Sequence, residues 1–198
     1  MIPRHLIIAV AVMIAVALGM SLYAWRMRGR VNRAEVPANT LPVAPPAAGP
    51  SEQVTLYVAY DDAAVLRPRA VRIPLPAGRQ ERAEELLQAL VDLYLDKSSP
   101  HALGPGSEIR GVYLVDPGLA VIDLNAAFAN GHRSGVLIEE LTLASLVGSL
   151  SANIPGIGRI KILVDGKERD TLAGHVDLAN FYDVAAVNQL VAQLQTAP

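Results

Sequence analysis

The chain contains no cysteine among its 198 residues. This absence excludes disulfide bonds, thiolate metal ligands and a cysteine nucleophile. It also excludes the lipid-modified cysteine that anchors bacterial lipoproteins. Any attachment of this chain to a membrane must therefore be made by the polypeptide itself.

Basic residues are scarce outside the N-terminal region. The chain has 17 Lys and Arg against 19 Asp and Glu, and the first 33 residues hold five of the arginines and no acidic residue. Residues 34–198 therefore carry a formal net charge of −7, against −2 for the whole chain. Because binding to nucleic acid needs a basic face, we expect no nucleic acid among the partners.

Histidine, a common metal ligand, is sparse and scattered. The four histidines are His5, His101, His132 and His175. No two of them have a short spacing such as HxxxH, which brings two imidazoles to one metal ion. The sequence therefore predicts no metal site and no cofactor.

An apolar run near the N-terminus predicts one transmembrane helix. Leu6–Trp25 holds twenty residues without a charge, and a helix of that length spans about 30 Å, the thickness of a bilayer core. A cleaved signal peptide is the alternative, but Leu22–Ala24 is a poor cleavage site. We therefore assign residues 1–33 to an anchor with a basic flank. The four arginines after the span favour a cytoplasmic domain by the positive-inside rule, which is weak for long domains.

Residues 34–53 predict an extended spacer. The segment holds five prolines, at positions 37, 42, 45, 46 and 50, and no periodic apolar pattern. Such a segment favours a polyproline-like conformation of about 3.1 Å per residue, so it could hold a domain up to ~60 Å from a bilayer. A ligand for a proline-recognition module is the alternative, but no basic residue flanks a PxxP core.

The rest of the chain predicts an α+β domain over residues 54–179 and a C-terminal helix or tail over 180–198. The predicted elements are strands 54–60 and 69–75, helix 79–95, strands 107–115 and 119–124, helix 135–151 and strand 159–164. This ββαββαβ order predicts a mainly antiparallel sheet with two helices packed on it, preceded by the one transmembrane helix. Apolar residues at 3-4-3 spacing in residues 183–195 predict a helix that docks on the domain or frays, since two heptads are too few for a coiled coil.

A loop bounded by glycines, Gly131–Gly135, precedes the second predicted helix. Its serine is misplaced for the G-x-S-x-G nucleophile elbow. Ser134 would lie at a helix N-terminus beside Arg133, where backbone N–H groups and positive charge favour an anion. The sequence thus predicts a ligand- or anion-binding site of Arg133, Ser134, Gly135 and, from the C-terminal part of the domain, His175. A plain loop with a helix cap is the alternative.

The acidic residues predict no catalytic pair. Asp61–Asp62 and Glu139–Glu140 are sequence neighbours, and neighbouring side chains diverge in both strands and helices. Asp165–Gly166 is typical of a hairpin turn. His175 and Asp177 are expected to share a face of an extended segment and to make a structural hydrogen bond. We therefore predict no catalytic residues.

Several motifs resemble the GerMN domain family, found in the sporulation and germination protein GerM and in lipoproteins of the LpqB type. The motifs are Leu141–Leu150, Ile154–Gly158, Ile160–Gly166 and Leu172–Leu178, with Val54–Val58 resembling the first strand of the family and Ala120–Leu124 with Phe128 its central strand and following turn. The similarity covers most of residues 54–178. It implies an α+β fold and an envelope protein that is tethered and faces outward. No enzymatic activity is established for the family, so no catalytic residue carries over.

The chain departs from the family pattern in two ways. The lipobox cysteine is missing, so the predicted helix would have to serve as the tether. There is one domain copy, whereas GerM has a tandem pair, so a role in sporulation does not follow. The implied outward orientation also conflicts with the arginines that follow the predicted span.

The sequence as a whole predicts a single-pass membrane protein of the bacterial envelope, with its domain on the extracytoplasmic, periplasmic side. The domain would be a non-catalytic interaction or assembly module. Its partners would be the membrane and an envelope protein or a second copy of itself. A ligand-binding domain for a cell-wall or other small polar ligand is the first alternative, and a hydrolase built from Ser134, His132 or His175 and an aspartate is the second.

Overall fold

The structure, a computed structural model, describes residues 50–76, 78–115 and 117–196. The predicted transmembrane helix, Leu6–Trp25, and the predicted spacer as far as residue 49 lie outside the described residues. Among the residues that are described, no helix is long and apolar enough to cross a membrane.

The described elements follow the predicted order as far as the C-terminal helix, with a short helix and a short strand added. They are β1 (Ser51–Tyr60), β2 (Val65–Pro74), α1 (Arg79–Leu95), β3 (Ile109–Val115), β4 (Leu119–Leu124), α2 (Ala126–Asn130), α3 (Val136–Asn153), β5 (Arg159–Val164), β6 (Tyr182–Asp183) and α4 (Val184–Thr196). α1 has its predicted bounds, and β1 begins inside the predicted spacer.

The strands form two sheets, so the prediction of a single sheet is wrong, while three of the four described strand pairings are antiparallel, as predicted. β1 and β2 form an antiparallel two-stranded sheet, and the other sheet has the order β3-β4-β5-β6. Within that sheet β4 and β5 run parallel, because the chain crosses back through α2 and α3 between them. The α+β class is confirmed, with four helices in the described part of the chain.

The core lies between the long helices and the sheets. The residues of α1 that share the predicted apolar face are all buried: Ala83, Leu86, Leu87, Leu90, Val91 and Tyr94. Every residue of Leu141–Leu150 in α3 is buried, as its lack of charge indicates. α4 packs on α3, and its buried side chains are Val184, Val187, Val191 and Leu194. Of the two outcomes predicted for this C-terminal segment, docking is the one observed.

The chain leaves β5 through the turn that its Asp-Gly pair predicts. Asp165 has φ 52° and Gly166 has φ 71°, both in the left-handed region. The N–H of Val164 donates to the carbonyl of Lys167 at 2.9 Å, and the reverse bond measures 3.1 Å. Two left-handed central residues give the hairpin turn that Asp-Gly favours. The turn leads into the closing segment, residues 168–181, which returns to the start of α3.

Candidate functional site

The closing segment and the start of α3 meet at one carboxylate, that of Glu139. Glu139 lies in the first turn of α3 and is fully buried. It accepts hydrogen bonds from the backbone N–H groups of Ala173, His175 and Val176 at 3.0, 3.1 and 2.9 Å. A fourth N–H, that of Gly135, donates at 3.3 Å. The carboxylate therefore occupies the cluster of N–H groups in which an anion would bind.

These hydrogen bonds keep the buried carboxylate ionised. Burial would raise the pKa of Glu139, but the N–H of Val176, the side chain of His175 and the N–H of Ala173 outweigh it and lower the pKa from 4.5 to about 2. The His175 side chain contributes through Nδ1, which lies 2.9 Å from Glu139 Oε1. Glu139 is thus negatively charged at physiological pH and fastens the closing segment to α3.

Ser134 and His175 lie close together but form no proton relay. Ser134 Oγ is 3.4 Å from His175 Nδ1, and the same nitrogen contacts Glu139. A triad needs the acid and the nucleophile on opposite ring nitrogens, so this geometry does not serve the hydrolase alternative. The predicted hydrogen bond between His175 and Asp177 is not formed, because the Asp177 carboxylate bonds groups two and three residues further on.

Arg133 points away from the carboxylate. Its guanidinium pairs with Asp61 Oδ2 at 3.0 Å. Of the four predicted site residues, Ser134, Gly135 and His175 therefore converge on one point, and Arg133 does not join them. An anion from outside would have to displace Glu139 from its N–H groups. Ligand binding at these four residues stays a prediction.

A second polar cluster, which the sequence does not predict, is centred on the hydroxyl of Thr142. His101 Nε2 lies 2.8 Å and His132 Nε2 lies 2.7 Å from Thr142 Oγ1. The other ring nitrogen of His101 lies 2.5 Å from Asp61 Oδ1. The order carboxylate, imidazole, hydroxyl is that of a catalytic triad, but Thr142 is fully buried. A substrate cannot reach this hydroxyl in the described structure.

The two histidines of this cluster are poor bases. Burial lowers the pKa of His101 below its ordinary value of 6.5, against the opposing effect of Asp61. Burial also lowers the pKa of His132, against its contact with the carbonyl of Arg133. Desolvation disfavours the charged form of an imidazole, so both rings favour the neutral form near pH 7. The cluster acts as a polar part of the core that fixes the loop before α3.

The polar side chains of α3 and α1 also cover the outer edge of β1. Its outward backbone N–H groups donate to side chains: Thr55 to Asn153 at 3.1 Å, Tyr57 to Ser149 at 2.8 Å and Ala59 to the hydroxyl of Tyr94 at 2.8 Å. Asn153 also donates to the carbonyl of Thr55 at 2.7 Å. Because this edge is already bonded, β1 cannot pair with β3 and the strands divide into two sheets.

One feature of the sequence marks these polar residues. Glu139, Thr142, Ser145, Ser149 and Asn153 recur every three or four positions in an otherwise apolar helix. That spacing places them on one face of α3. Since buried polar groups must find partners, such a stripe indicates a helix face that bonds the backbone of its neighbours.

An open groove lies beside His175, between α3 and α4. Its volume is about 350 Å³, and it is lined mainly by apolar side chains. Glu140 and Asp177 add two carboxylates to the lining. Of the four predicted site residues, only His175 lines the groove.

The family model named Germane, described as sporulation and spore germination, matches residues 55–170. The chain therefore belongs to this family, as the resemblance to GerMN domains predicts. No curated protein matches the chain.

Three solved structures are similar to the described domain. The tandem GerMN domains of the sporulation protein GerM from Bacillus subtilis share 18% identity and a TM-score of 0.51, over 67% of this chain and 46% of that chain. The first GerMN domain of the same protein shares 19% identity and a TM-score of 0.47, over 65% of this chain and 94% of that chain. A candidate lipoprotein from Clostridium perfringens shares 19% identity and a TM-score of 0.46, over 79% of this chain and 99% of that chain. This chain thus spans less than half of the tandem pair, whose likeness concerns the fold alone.

Proposed function

We propose that this chain is a single-pass membrane protein of the bacterial envelope, whose Germane-family domain is a non-catalytic interaction or assembly module outside the cytoplasm. The supporting observation is how the described domain uses its polar groups. Glu139 and the cluster around Thr142 bond the domain's own chain, whereas no described residue bonds the outward backbone groups of Ala70 on β2. A domain of this kind offers backbone pairing to a partner and presents no reactive centre.

The mechanism in this proposal is tethering. The predicted anchor, residues 1–33, would confine the domain to a membrane surface, which raises the effective concentration for weak contacts. The predicted spacer, residues 34–53, would set the reach of the domain at up to ~60 Å. Weak individual contacts then suffice for assembly.

Affinity capture of the full-length protein from its membrane tests the proposal. We expect one partner to co-purify reproducibly with the intact chain and to cross-link to it in the membrane. A strictly monomeric protein that captures nothing would contradict an assembly role. Protease accessibility in intact and lysed cells tests the orientation, and protection of residues 54–198 by the inner membrane would contradict the envelope location.

A hydrolase is the weaker reading, because Ser134 and Glu139 contact the same nitrogen of His175. An activity of the full-length protein that disappears in Ser134→Ala would nevertheless overturn the non-catalytic proposal. Arg159→Ala, far along the chain on β5, is the matched control that should keep any such activity.

A ligand-binding domain is the second candidate, and the groove beside His175 is the observation that favours it. Because the lining is mainly apolar, the groove suits a ligand with an apolar part better than a small polar one. Ala186→Trp on α4 would fill the groove from its wall. This candidate predicts that cell-wall fragments bind the full-length protein and that the substitution abolishes the binding.

A further inference from the structure

The backbone of β2 pairs with β1 on one side and with no described strand on the other. The N–H groups of Thr55, Tyr57 and Ala59 point away from β2, because they donate to side chains of α3 and α1. Residues opposite one another in an antiparallel pair point their backbone groups the same way, both inward or both outward. The residues opposite these three are Ala70, Pro68 and Leu66. Their backbone groups therefore point outward, to the free edge of β2.

This edge differs from the outer edges of β1 and β3. The edge of β1 is covered by side chains of α3 and α1, and on β3 the N–H of Val112 donates to Glu84 of α1 at 3.2 Å. The N–H of Ile109 on β3 likewise donates to Gln88 at 3.4 Å. Among the described residues, none donates to or accepts from the outward groups of Ala70. An uncovered edge strand is a template for another strand.

The charge of the edge indicates what kind of strand it fits. β2 contains Arg67, Arg69 and Arg72 and no acidic residue, and all three arginines are exposed. Within the described part of the chain none of the three forms an ion pair. The surrounding domain is acidic, so β2 is a basic strip on an acidic protein.

We propose that the exposed outer edge of β2, Arg67–Arg72, is the surface through which this domain binds, and that its partner is an extended acidic segment of a different protein. The added strand would bond the outward N–H of Ala70 and the outward carbonyls, and its carboxylates would lie beside the arginines. The inference rests on the proposed function, since it names the surface of the proposed interaction module.

A second copy of this chain fits the edge poorly. Two β2 strands paired edge to edge would bring three arginines from each copy into one small interface, and like charges side by side are destabilising. An acidic strand removes the charge conflict.

Site-specific photo-cross-linking in the native membrane tests this inference with the full-length chain. A photoreactive residue at position 70 reports on the open edge. The matched control is position 113, since Tyr113 is an exposed residue of β3, whose edge is covered. We expect a cross-link from position 70 and none from position 113. Mass spectrometry should map it to a segment rich in Asp and Glu in another protein.

Charge variants sharpen the test. Reversal of charge in the double variant Arg69→Glu/Arg72→Glu should lower the yield at position 70 about tenfold, because the attraction becomes repulsion. The charge-keeping control Arg69→Lys/Arg72→Lys should retain most of the yield. Salt at about 0.5 M should weaken the wild-type cross-link through screening.

Each other outcome overturns the inference. A cross-link to a second copy, a neutral or basic linked segment, or a yield unaffected by charge reversal would show that the edge is not an acceptor of acidic strands. If position 70 gives no cross-link while affinity capture still retrieves a partner, the edge is wrong and the proposed function stands. If capture retrieves no partner at all, the proposed function fails as well.

Discussion

The two strands of the first sheet, β1 and β2, have the same length, but their outer edges differ in whether side chains of the domain bond them. On β1 the outward N–H groups of Thr55, Tyr57 and Ala59 all end on side chains within the domain. On β2 the outward groups end on none of the described residues, and the exposed arginines line them. The difference teaches that the polar stripe of α3 closes one side of the hairpin, while on the other side no described residue bonds the outward groups.

The polar stripe of α3 should stabilise the domain most through Glu139, which fastens the closing segment to this helix. We expect Glu139→Ala to lower the free energy of unfolding by about 3–5 kcal/mol, because it leaves several buried N–H groups without an acceptor, at about 1–3 kcal/mol each. Glu139→Gln keeps one acceptor oxygen and should lose less. Chemical denaturation followed by circular dichroism measures both.

The adjacent residue provides the control for this prediction. Glu140 is half-buried and lines the groove, so Glu140→Ala should change the free energy of unfolding by about 0.5 kcal/mol or less. Equal losses in the two alanine variants would show that the N–H cluster around Glu139 does not hold the closing segment.

Proline substitution separates the inward and outward backbone positions of β2. Arg69→Pro removes a hydrogen bond between β1 and β2 and should cost about 2–3 kcal/mol. Ala70→Pro removes only an outward N–H and should cost about 1 kcal/mol or less. Both side chains are exposed, so the pair differs mainly in the direction of the N–H. If thermal denaturation shows equal stability losses for Arg69→Pro and Ala70→Pro, the N–H of Ala70 does not point to an open edge.

Substitution of Asn153 tests whether side-chain hydrogen bonds stabilise the outer edge of β1. Asn153→Ala removes the partners of both the N–H and the carbonyl of Thr55, and we expect a loss of about 1–3 kcal/mol in the free energy of unfolding. Gln189→Ala, on the exposed face of α4, is the control and should stay within about 0.5 kcal/mol of the wild type. If Asn153→Ala is as stable as this control, the edge of β1 is not held by its side-chain partners.

Local patterns predicted the parts of the fold that depend on neighbours in sequence. The bounds of α1 follow from apolar residues at helical spacing, and the turn at Asp165–Gly166 follows from the preference of that pair for left-handed φ. The burial of Leu141–Leu150 in α3 follows from the absence of charged residues in that stretch. Each of these features is determined within one or two turns of chain.

The features that sequence patterns could not predict join distant segments. Glu139 bonds Val176 across 37 positions and Asn153 bonds Thr55 across 98. Neither bond has a local pattern, because each depends on where the folded chain returns. Ser134, Gly135 and His175 lie together around the Glu139 carboxylate, which no local pattern indicates, and ligand binding there stays a prediction.

The smallest expected effect is a pH dependence confined to the closed side. Burial lowers the pKa of His101 and His132 in the folded state below 6.5. Between those values and 6.5 the unfolded chain binds more protons than the folded one, so stability is complete above about pH 6.5 and is lost as the pH falls. We expect a loss of about 1 kcal/mol between about pH 7 and pH 5, measured as a falling Tm.

A substitution within the cluster decides whether these rings cause the effect. His132→Gln removes one titrating ring and keeps a polar side chain beside Thr142, so the fall in Tm should become shallower. The variant Arg69→Gln/Arg72→Gln on the open edge should keep the wild-type slope, because it leaves the buried cluster intact. A Tm that rises on acidification, or a slope that His132→Gln leaves unchanged, would show that the buried histidines do not carry the pH response.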